Sequence, residues 1–333
     1  MIPLNLGAIQ DLVNKYAPVV YLNTSEEYLP ASIDWFLPQV SLMDQNGKVV
    51  STAVTEAVLA SAAATDYLSI NDLASTTPGN LSSAPFYVRF TEVGDSSDQY
   101  DIEYWFFYAF NGCSSVGLEL EIGSKRPSKT VEIPPFGEHQ GDWEHTTVRL
   151  DATTLDVVGV FTAQHGGGAW ETGNYPVYSG TQRPIVYSAF HSHATYPKIG
   201  TESIKTIAIG KHDFEVKIGL LDTTDGGTEW DPLRAGGPGA LLASVNVTNV
   251  TDSDALWTQF PGHWGPPTDQ HAMVAAAAKI IYDTAKDLGM PKSGLMEDEI
   301  KKVVVDLSSL ILPGGPLNPS QQGAWAKGET TSP

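Results

Sequence analysis

The sequence has little of several features that define common protein classes. Its 333 residues include one cysteine, Cys113, which excludes a disulfide within the chain and predicts a small buried side chain rather than a nucleophile. Lysine and arginine together number 19 against 39 acidic residues, which gives a formal charge of -20. Because this charge repels a phosphate backbone, we expect no nucleic-acid partner.

The chain also lacks long apolar runs. None is long enough to cross a bilayer, and Met1-Ile2-Pro3-Leu4-Asn5 has neither the basic nor the apolar region of a signal peptide. We therefore expect a soluble protein without integral membrane association, either cytoplasmic or, if a signal peptide has been removed, secreted or vacuolar. Four Asn-x-Ser/Thr sequons, at Asn23, Asn80, Asn246 and Asn249, suit the second location. The sequence leaves the oligomeric state open.

Common catalytic motifs are absent as well. The chain has no Gly-x-Ser-x-Gly elbow, no Gly-Lys-Ser/Thr phosphate loop, no dinucleotide fingerprint and no aspartate-rich motif of the terpene-synthase kind. These absences argue against several common enzyme classes, and we expect no nucleotide, flavin or haem cofactor. The segment Asp222-Thr223-Thr224-Asp225-Gly226-Gly227 lacks the full pattern of a calcium-binding loop and is interpreted as a turn.

What the sequence does contain predicts a mainly β protein. β-Branched and aromatic residues fill five segments bounded by Gly, Pro and Asp, at residues 86–92, 101–110, 143–150, 155–163 and 184–191. Because no helix separates them, an antiparallel β-sandwich is favoured over a parallel sheet.

Helices are predicted towards the two termini. Apolar spacing and helix-stop residues place them at residues 6–16, 53–64, 273–288 and 295–312, at the periphery of the sheets. We expect one large β-rich domain over residues 1–313. The Pro/Gly/Ser-rich tail over residues 314–333 is either a surface-bound strap or disordered.

The densest polar segment is Gly137-Glu138-His139-Gln140-Gly141-Asp142-Trp143-Glu144-His145, which leads into a predicted strand. Side chains alternate along a strand, so Asp142 and Glu144 share one face while Trp143 and His145 share the other. Two carboxylates on one face need water, a cation or a proton to offset their repulsion. The segment is therefore a candidate functional site.

Further polar segments follow, and five of the eight histidines lie between positions 139 and 193. We predict catalytic roles for His139, His145, His165, His191, His193 and Tyr187. We predict substrate contacts for Trp143, Trp170, Tyr108, Asn111 and Gln164. Alternatively, these histidines and acids hydrogen-bond one another in loops at one end of the sandwich.

Several blocks of the sequence resemble the vacuolar protein sorting-associated protein 62 family of fungi and plants. The clearest blocks are Ala17-Pro18-Val19-Val20-Tyr21, Tyr104-Trp105-Phe106-Phe107-Tyr108-Ala109-Phe110-Asn111-Gly112, the segment Gly137 to His145, Gln164-His165-Gly166-Gly167 and His263-Trp264-Gly265-Pro266. They span residues 17 to 266. The resemblance implies a fold and vacuolar traffic, but it supplies no catalytic residues.

A more distant resemblance concerns the necrosis- and ethylene-inducing-peptide-like toxins, whose signature Gly-His-Arg-His-Asp-Trp-Glu helps to bind a divalent cation. Aligned on Asp-Trp-Glu, the residues His139, Asp142 and Glu144 occupy the ligand positions of that family, and Gly141 replaces its second histidine. The resemblance implies a cation on these three residues. Two carboxylates and one imidazole suit Mg²⁺, Ca²⁺ or Mn²⁺ better than Zn²⁺ or copper.

The function predicted from the sequence is an enzyme of fungal secondary metabolism. It would act as a lyase or cyclase on a small, largely apolar molecule, by acid–base dehydration and cyclisation or a Diels-Alder-type cycloaddition through a quinone methide. One alternative is a cation-dependent protein that binds a lipid head group or a glycan. Another is a vacuolar sorting or structural protein in which the polar cluster only stabilises the fold.

Overall fold

The structure of the protein is a computed structural model that describes residues 4–93, 98–211, 214–233, 247–249, 255–291, 295–322, 328–329 and 333. In chain order the strands are β1 (Val19–Tyr21), β2 (Val40–Met43), β3 (Val49–Ser51), β4 (Tyr67–Ile70), β5 (Phe86–Glu92), β6 (Gln99–Asn111), β7 (Ser115–Ile122), β8 (Ser128–Glu132), β9 (His139–Asp151), β10 (Val157–Gln164), β11 (Gly167–Glu171), β12 (Ile185–Ser188), β13 (Thr195–Tyr196), β14 (Gly200–Lys211), β15 (Phe214–Thr224), β16 (Glu229–Trp230) and β17 (Val247–Asn249).

The helices lie mainly near the two ends of the chain. They are α1 (Leu6–Tyr16), α2 (Ile33–Phe36), α3 (Glu56–Ala60), α4 (Leu73–Thr76), α5 (Gln270–Asp287) and α6 (Glu297–Ser308), with 3-10 turns at Leu37–Gln39, Leu81–Ser83, Leu256–Gln259 and Pro319–Gln321. Helix α1 begins after Asn5, whose side chain accepts a hydrogen bond from the Ala8 backbone, and ends before Pro18. Helix α5 begins in the same way after Asp269.

Within the described residues, four sheets form the body of the protein. The central sheet has six strands in the order β11-β10-β9-β6-β5-β17, and the others are β13-β12-β1-β16, β14-β15-β7-β8 and β3-β2-β4. Neighbouring strands are antiparallel except for the pairs β1–β12 and β5–β17. The prediction of a mainly β protein with antiparallel sheets and peripheral helices is confirmed.

The aromatic strand β6 separates two apolar cores. Tyr104, Phe106 and Tyr108 face the core that β1, β12 and α1 complete. Trp105 and Phe107 face the opposite core, which the small sheet β3-β2-β4 covers. A third core lies between the sheet β14-β15-β7-β8 and helices α5 and α6. The two-residue alternation of β6 thus buries both faces of the central sheet.

Described parts of the tail pack against the domain. Leu317 bridges His263, and the fully buried Asn318 donates its side-chain amide to the Trp257 carbonyl at 2.6 Å. Further along, Glu329 is buried against the central sheet. Trp325 lies outside the described residues.

Candidate functional site

Strand β9 carries the predicted motif, and its register with β6 decides where each side chain points. Asp142 lies opposite Tyr108, and Trp143 lies opposite Phe107. Trp143 packs at 5.2 Å from Trp257 in a stacked arrangement, inside the apolar core. Asp142 lies on the other face, as the alternation predicts.

Asp142 belongs to a cluster that we call the acidic recess. Its members are four carboxyl groups and two imidazoles, on Glu26, Asp142, Glu144, Asp222, His165 and His193. They come from β9, β15 and three loops. The structure thus assembles residues that are nearly two hundred positions apart in the chain, since Glu26 and Asp222 both contribute.

His193 is the most enclosed member of the acidic recess. Its Nδ1 lies 2.9 Å from Asp142 Oδ2, and its Nε2 lies 3.1 Å from the Tyr28 carbonyl oxygen and 3.8 Å from Glu26 Oε1. Burial lowers the pKa of His193, but the bonds to Asp142 and Glu26 outweigh it and raise the pKa to about 9. The ring stacks on Tyr108 with centroids 3.7 Å apart. His193 is therefore a buried imidazolium with both nitrogens engaged.

Asp222 organises the other half of the acidic recess. Its carboxylate accepts bonds from Ser192 Oγ at 2.7 Å and Tyr196 Oη at 2.7 Å, and lies 2.6 Å from His165 Nε2. Burial lowers the pKa of His165, but Asp222 outweighs it and raises the pKa above its ordinary value. The interpretation of Asp222 as part of a turn is wrong, because β15 continues through Thr224 and buries the carboxylate at its end.

Glu144 is the member without a partner. None of the described residues donates a hydrogen bond to its carboxyl group, although the side chain lies on the same strand face as Asp142. Burial, followed by the charges of Asp142 and Asp222, raises the pKa of Glu144 well above its ordinary value. The residue still keeps partial contact with solvent. Glu144 is thus an open carboxyl group in a negatively charged recess.

The loops around the acidic recess hold an unusual backbone conformation. His165, His191 and His193 have φ values of 46°, 65° and 57°, in the left-handed region. Non-glycine residues occupy this region rarely, although histidine does so more readily than β-branched residues. Left-handed residues of this kind persist where surrounding contacts impose them, and they are common at binding and catalytic sites.

The three residues predicted to bind a cation do not form a compact group. His139 Nδ1 lies 2.8 Å from the Gly141 carbonyl oxygen, while both oxygens of Asp142 already accept bonds from His193 and the Trp143 backbone. Among the described residues, the three ligand atoms that lie within 4.8 Å of one another belong to a different group, described below. Cation binding by the acidic recess stays a prediction.

His145 lies on the opposite face of the central sheet from Asp142. Its Nε2 lies 2.7 Å from Glu329 Oε1, which also accepts a bond from Thr147 Oγ1 at 2.9 Å. The Glu329 carbonyl accepts a bond from Arg149, whose guanidinium lies 4.5 Å from the Trp170 ring centroid. His145 and Trp170 were predicted to share one site with His193, but a whole sheet separates them from it.

The remaining predicted residues have separate surroundings. Tyr187 points away from the acidic recess, stacks on Tyr21 at 5.7 Å and lines an open surface groove of about 550 Å³. Asn111 donates its side-chain amide to the carbonyls of residues 112 and 137, which fixes two loops. Gln164 donates to Thr195 O at 3.2 Å. These three residues have different neighbours, and their catalytic or substrate-binding roles stay predictions.

Sequence reasoning missed Glu26, Tyr196 and Glu329. Glu26 Oε2 accepts a bond from the His191 backbone at 2.7 Å, so it holds the histidine loop in place. No local pattern marks Glu26 or Glu329, because their partners are distant in sequence. Asp222 did carry a signal, since it is an acid at the end of the apolar run Ile218-Gly219-Leu220-Leu221.

Comparison with known proteins gives a consistent result. The family model described as vacuolar protein sorting-associated protein 62 matches residues 2–329. The vacuolar protein sorting-associated protein 62 of Saccharomyces cerevisiae is 23% identical over 307 residues, which are 78% of this chain and 60% of that protein. A second yeast protein with a vacuolar protein sorting-associated name, TDA6, is 22% identical over 312 residues, 78% of this chain and 61% of that protein. The chain thus spans about three fifths of either relative.

One solved structure is also similar. Necrosis and Ethylene inducing Protein 2, from the causal agent of cocoa's Witches Broom disease, aligns with 15% identity and a TM-score of 0.33 over 80% of this chain and 90% of that one. None of the helices in the described part of the chain has the length and apolar character needed to cross a bilayer.

These findings correct the predicted function. A cyclase of fungal secondary metabolism is wrong for this chain, because the family model and both curated relatives are vacuolar protein sorting-associated proteins. The alternative of a sorting or structural protein fits these comparisons better. It also agrees with the family resemblance noted in the sequence. The match over nearly the whole length means that the chain belongs to the vacuolar protein sorting-associated protein 62 family.

Proposed function

We propose that this chain is a binding module of a vacuolar protein sorting-associated protein, and that its acidic recess holds a hard divalent cation that bridges to an oxygen-rich ligand. The observation that carries this proposal is Glu144, the carboxyl group without a hydrogen-bond partner among the described residues. The carboxyl group is partly open to solvent and lies beside the charges of Asp142 and Asp222, so a cation can reach it and would offset their repulsion.

The charges of the acidic recess support a cation. The acidic recess holds four carboxyl groups against two imidazoles, and burial, followed by the charges of Asp142 and Asp222, raises the pKa of Glu144. A cation beside Glu144 would favour its ionised form. The metal-ligating atoms that the carboxyl groups of the acidic recess offer are oxygens, which suit Mg²⁺ or Ca²⁺.

The number of carboxylate oxygens that are free to coordinate a cation suggests what kind of molecule the cation would bind. Both Asp142 oxygens already accept bonds, and Asp222 accepts three, so Glu144 is the group best placed to contact the cation directly. Since Ca²⁺ takes about six to eight oxygen ligands, most positions would be left for water or for a bound molecule. A lipid head group or a glycan supplies such oxygens. The chain's own charge of -20 would repel an anionic surface without a bridging cation.

Calorimetry of tag-free protein with Mg²⁺, Ca²⁺ and Mn²⁺ tests the cation. We expect one ion per chain, with an affinity that falls as the pH is lowered because protons compete with the cation for the Glu144 carboxylate. Glu144→Gln should weaken binding at least tenfold, while Glu297→Gln, on an exposed helix start, should leave it unchanged. Equal affinity in the wild type and Glu144→Gln, or no binding at millimolar ion concentrations, would exclude the proposed site.

A cellular experiment tests the sorting role. The chain and its Glu144→Gln variant would be expressed in a Saccharomyces cerevisiae strain that lacks the 23% identical relative, and secretion of a vacuolar marker enzyme would be measured. We expect the wild-type chain to lower secretion and the variant to have little effect. If both chains lower secretion equally, the acidic recess has no part in sorting.

A further inference from the structure

A second group of metal-ligating side chains lies beside the acidic recess. Cys113 follows β6, Glu132 ends β8, and His191 lies in the loop between β12 and β13. The ligand atoms of these three residues lie within 4.8 Å of one another. Cys113 Sγ is 4.0 Å from Glu132 Oε2 and 3.9 Å from His191 Nδ1.

These separations are close to those of ligands that share one ion. Zinc lies about 2.3 Å from a thiolate sulfur and about 2.0 Å from an imidazole nitrogen, so two such ligands at a tetrahedral angle lie about 3.5 Å apart. The observed distances exceed this by only a few tenths of an ångström. Rotation of the exposed Glu132 side chain and a small shift of the His191 ring would close the gap.

We propose that Cys113, Glu132 and His191 bind a zinc-class transition-metal ion at a site separate from the acidic recess. Thiolate, imidazole and carboxylate are the ligand types that Zn²⁺ combines in proteins, whereas Mg²⁺ and Ca²⁺ avoid sulfur. Three protein ligands leave a fourth position open to water or to another group.

The electrostatic surroundings of Cys113 set a cost that a bound metal ion must offset. Burial, followed by the charges of Glu132 and Glu138, raises the pKa of the Cys113 thiol to about 12, so the thiol keeps its proton when no metal is present. A bound metal ion stabilises the thiolate, and the thiol proton leaves to solvent. His191 Nδ1 also lies 3.1 Å from the Cys113 carbonyl oxygen, and ligation through Nδ1 would replace that contact.

A metal ion on Cys113, Glu132 and His191 would hold in place the loop that carries His193 of the acidic recess. His191 is held by Glu26 through its backbone N–H, and His193 follows two residues later. Both residues have left-handed backbones. An ion on the His191 side chain would anchor the same loop from the other side, through β8 and the end of β6.

Cobalt titration of the full, tag-free chain tests the site directly. Co²⁺ bound to a thiolate gives an intense charge-transfer absorption in the near ultraviolet, and the chain has one cysteine, so the band would report Cys113 alone. We expect one Co²⁺ per chain, with the band displaced by Zn²⁺ and unaffected by excess Mg²⁺ or Ca²⁺. Cys113→Ser should abolish the band.

Two milder variants keep the test decisive if Cys113→Ser fails to fold. Glu132→Gln changes an exposed side chain, and His191→Asn retains a residue that tolerates the left-handed backbone. Each should weaken Co²⁺ binding at least tenfold, while Glu297→Gln should bind as the wild type does. A folded wild-type chain without the band, or Glu132→Gln and His191→Asn with unchanged affinity, would overturn the proposal.

Discussion

The buried imidazolium of His193 makes the stability of this protein depend on pH in a defined way. Its pKa rises from 6.5 to about 9 in the folded chain. The native state therefore holds a proton that the unfolded state releases between these values, and stability falls as pH rises through that window. The shift of roughly 2.5 units at 1.36 kcal/mol per unit corresponds to about 3 kcal/mol.

The variant His193→Gln isolates this contribution. Urea unfolding followed by tryptophan fluorescence at pH 6, 7, 8, 9 and 10 gives the free energy of unfolding of each chain. The advantage of the wild type over His193→Gln should be largest at pH 6 and should shrink by about 3 kcal/mol by pH 10. His271→Gln, on the exposed face of α5, should show a constant difference. A wild-type advantage that stays constant from pH 6 to 10 would refute the buried imidazolium.

Three further substitutions test other parts of the structure. Arg149→Leu removes one partner of the buried pair with Asp101, and urea unfolding should show a loss of about 3–5 kcal/mol; a loss under about 1 kcal/mol would contradict this pairing. Gly141→Ala places a Cβ 2.6 Å from the Trp264 carbonyl oxygen at a φ of 65°, so the thermal midpoint should fall by several degrees. Glu144→Gln should raise the thermal midpoint of metal-free protein at pH 8 but not at pH 4, because the raised pKa of Glu144 means that its ionised form destabilises the folded chain. Equal thermal midpoints of the wild type and the variant at pH 8 would contradict the repulsion of Glu144 by Asp142 and Asp222.

Local patterns predicted the long helices near the termini, the strands β5, β6, β9 and β10, and the faces of β9, but they did not predict the sheet β14-β15-β7-β8. The alternation of β9 separated Asp142 and Glu144 from Trp143 and His145, and the structure has the same separation. The apolar spacing of the first helix also predicted its bounds, since α1 covers Leu6–Tyr16. These features depend on residues that are neighbours in sequence, so the sequence contains them directly.

The composition of the candidate site could not be predicted in the same way. Clustering along the chain suggested that five histidines share one site, but they lie in different environments. His193 and His165 face carboxylates of the acidic recess, His191 lies beside Cys113, and His145 is bonded to Glu329 across the sheet. Which face a loop histidine reaches depends on tertiary packing and on left-handed backbone angles, which composition does not reveal.

The contact between His145 and Glu329 has a consequence for biosynthesis. The two residues are 184 positions apart, and Glu329 also completes the bonding of Thr147 and Arg149. During translation, this part of the central sheet is made long before the segment that covers it. A nascent chain would therefore expose the strand face that carries His145, Thr147 and the Arg149–Asp101 pair before Glu329 covers it, and such a face can bind a chaperone.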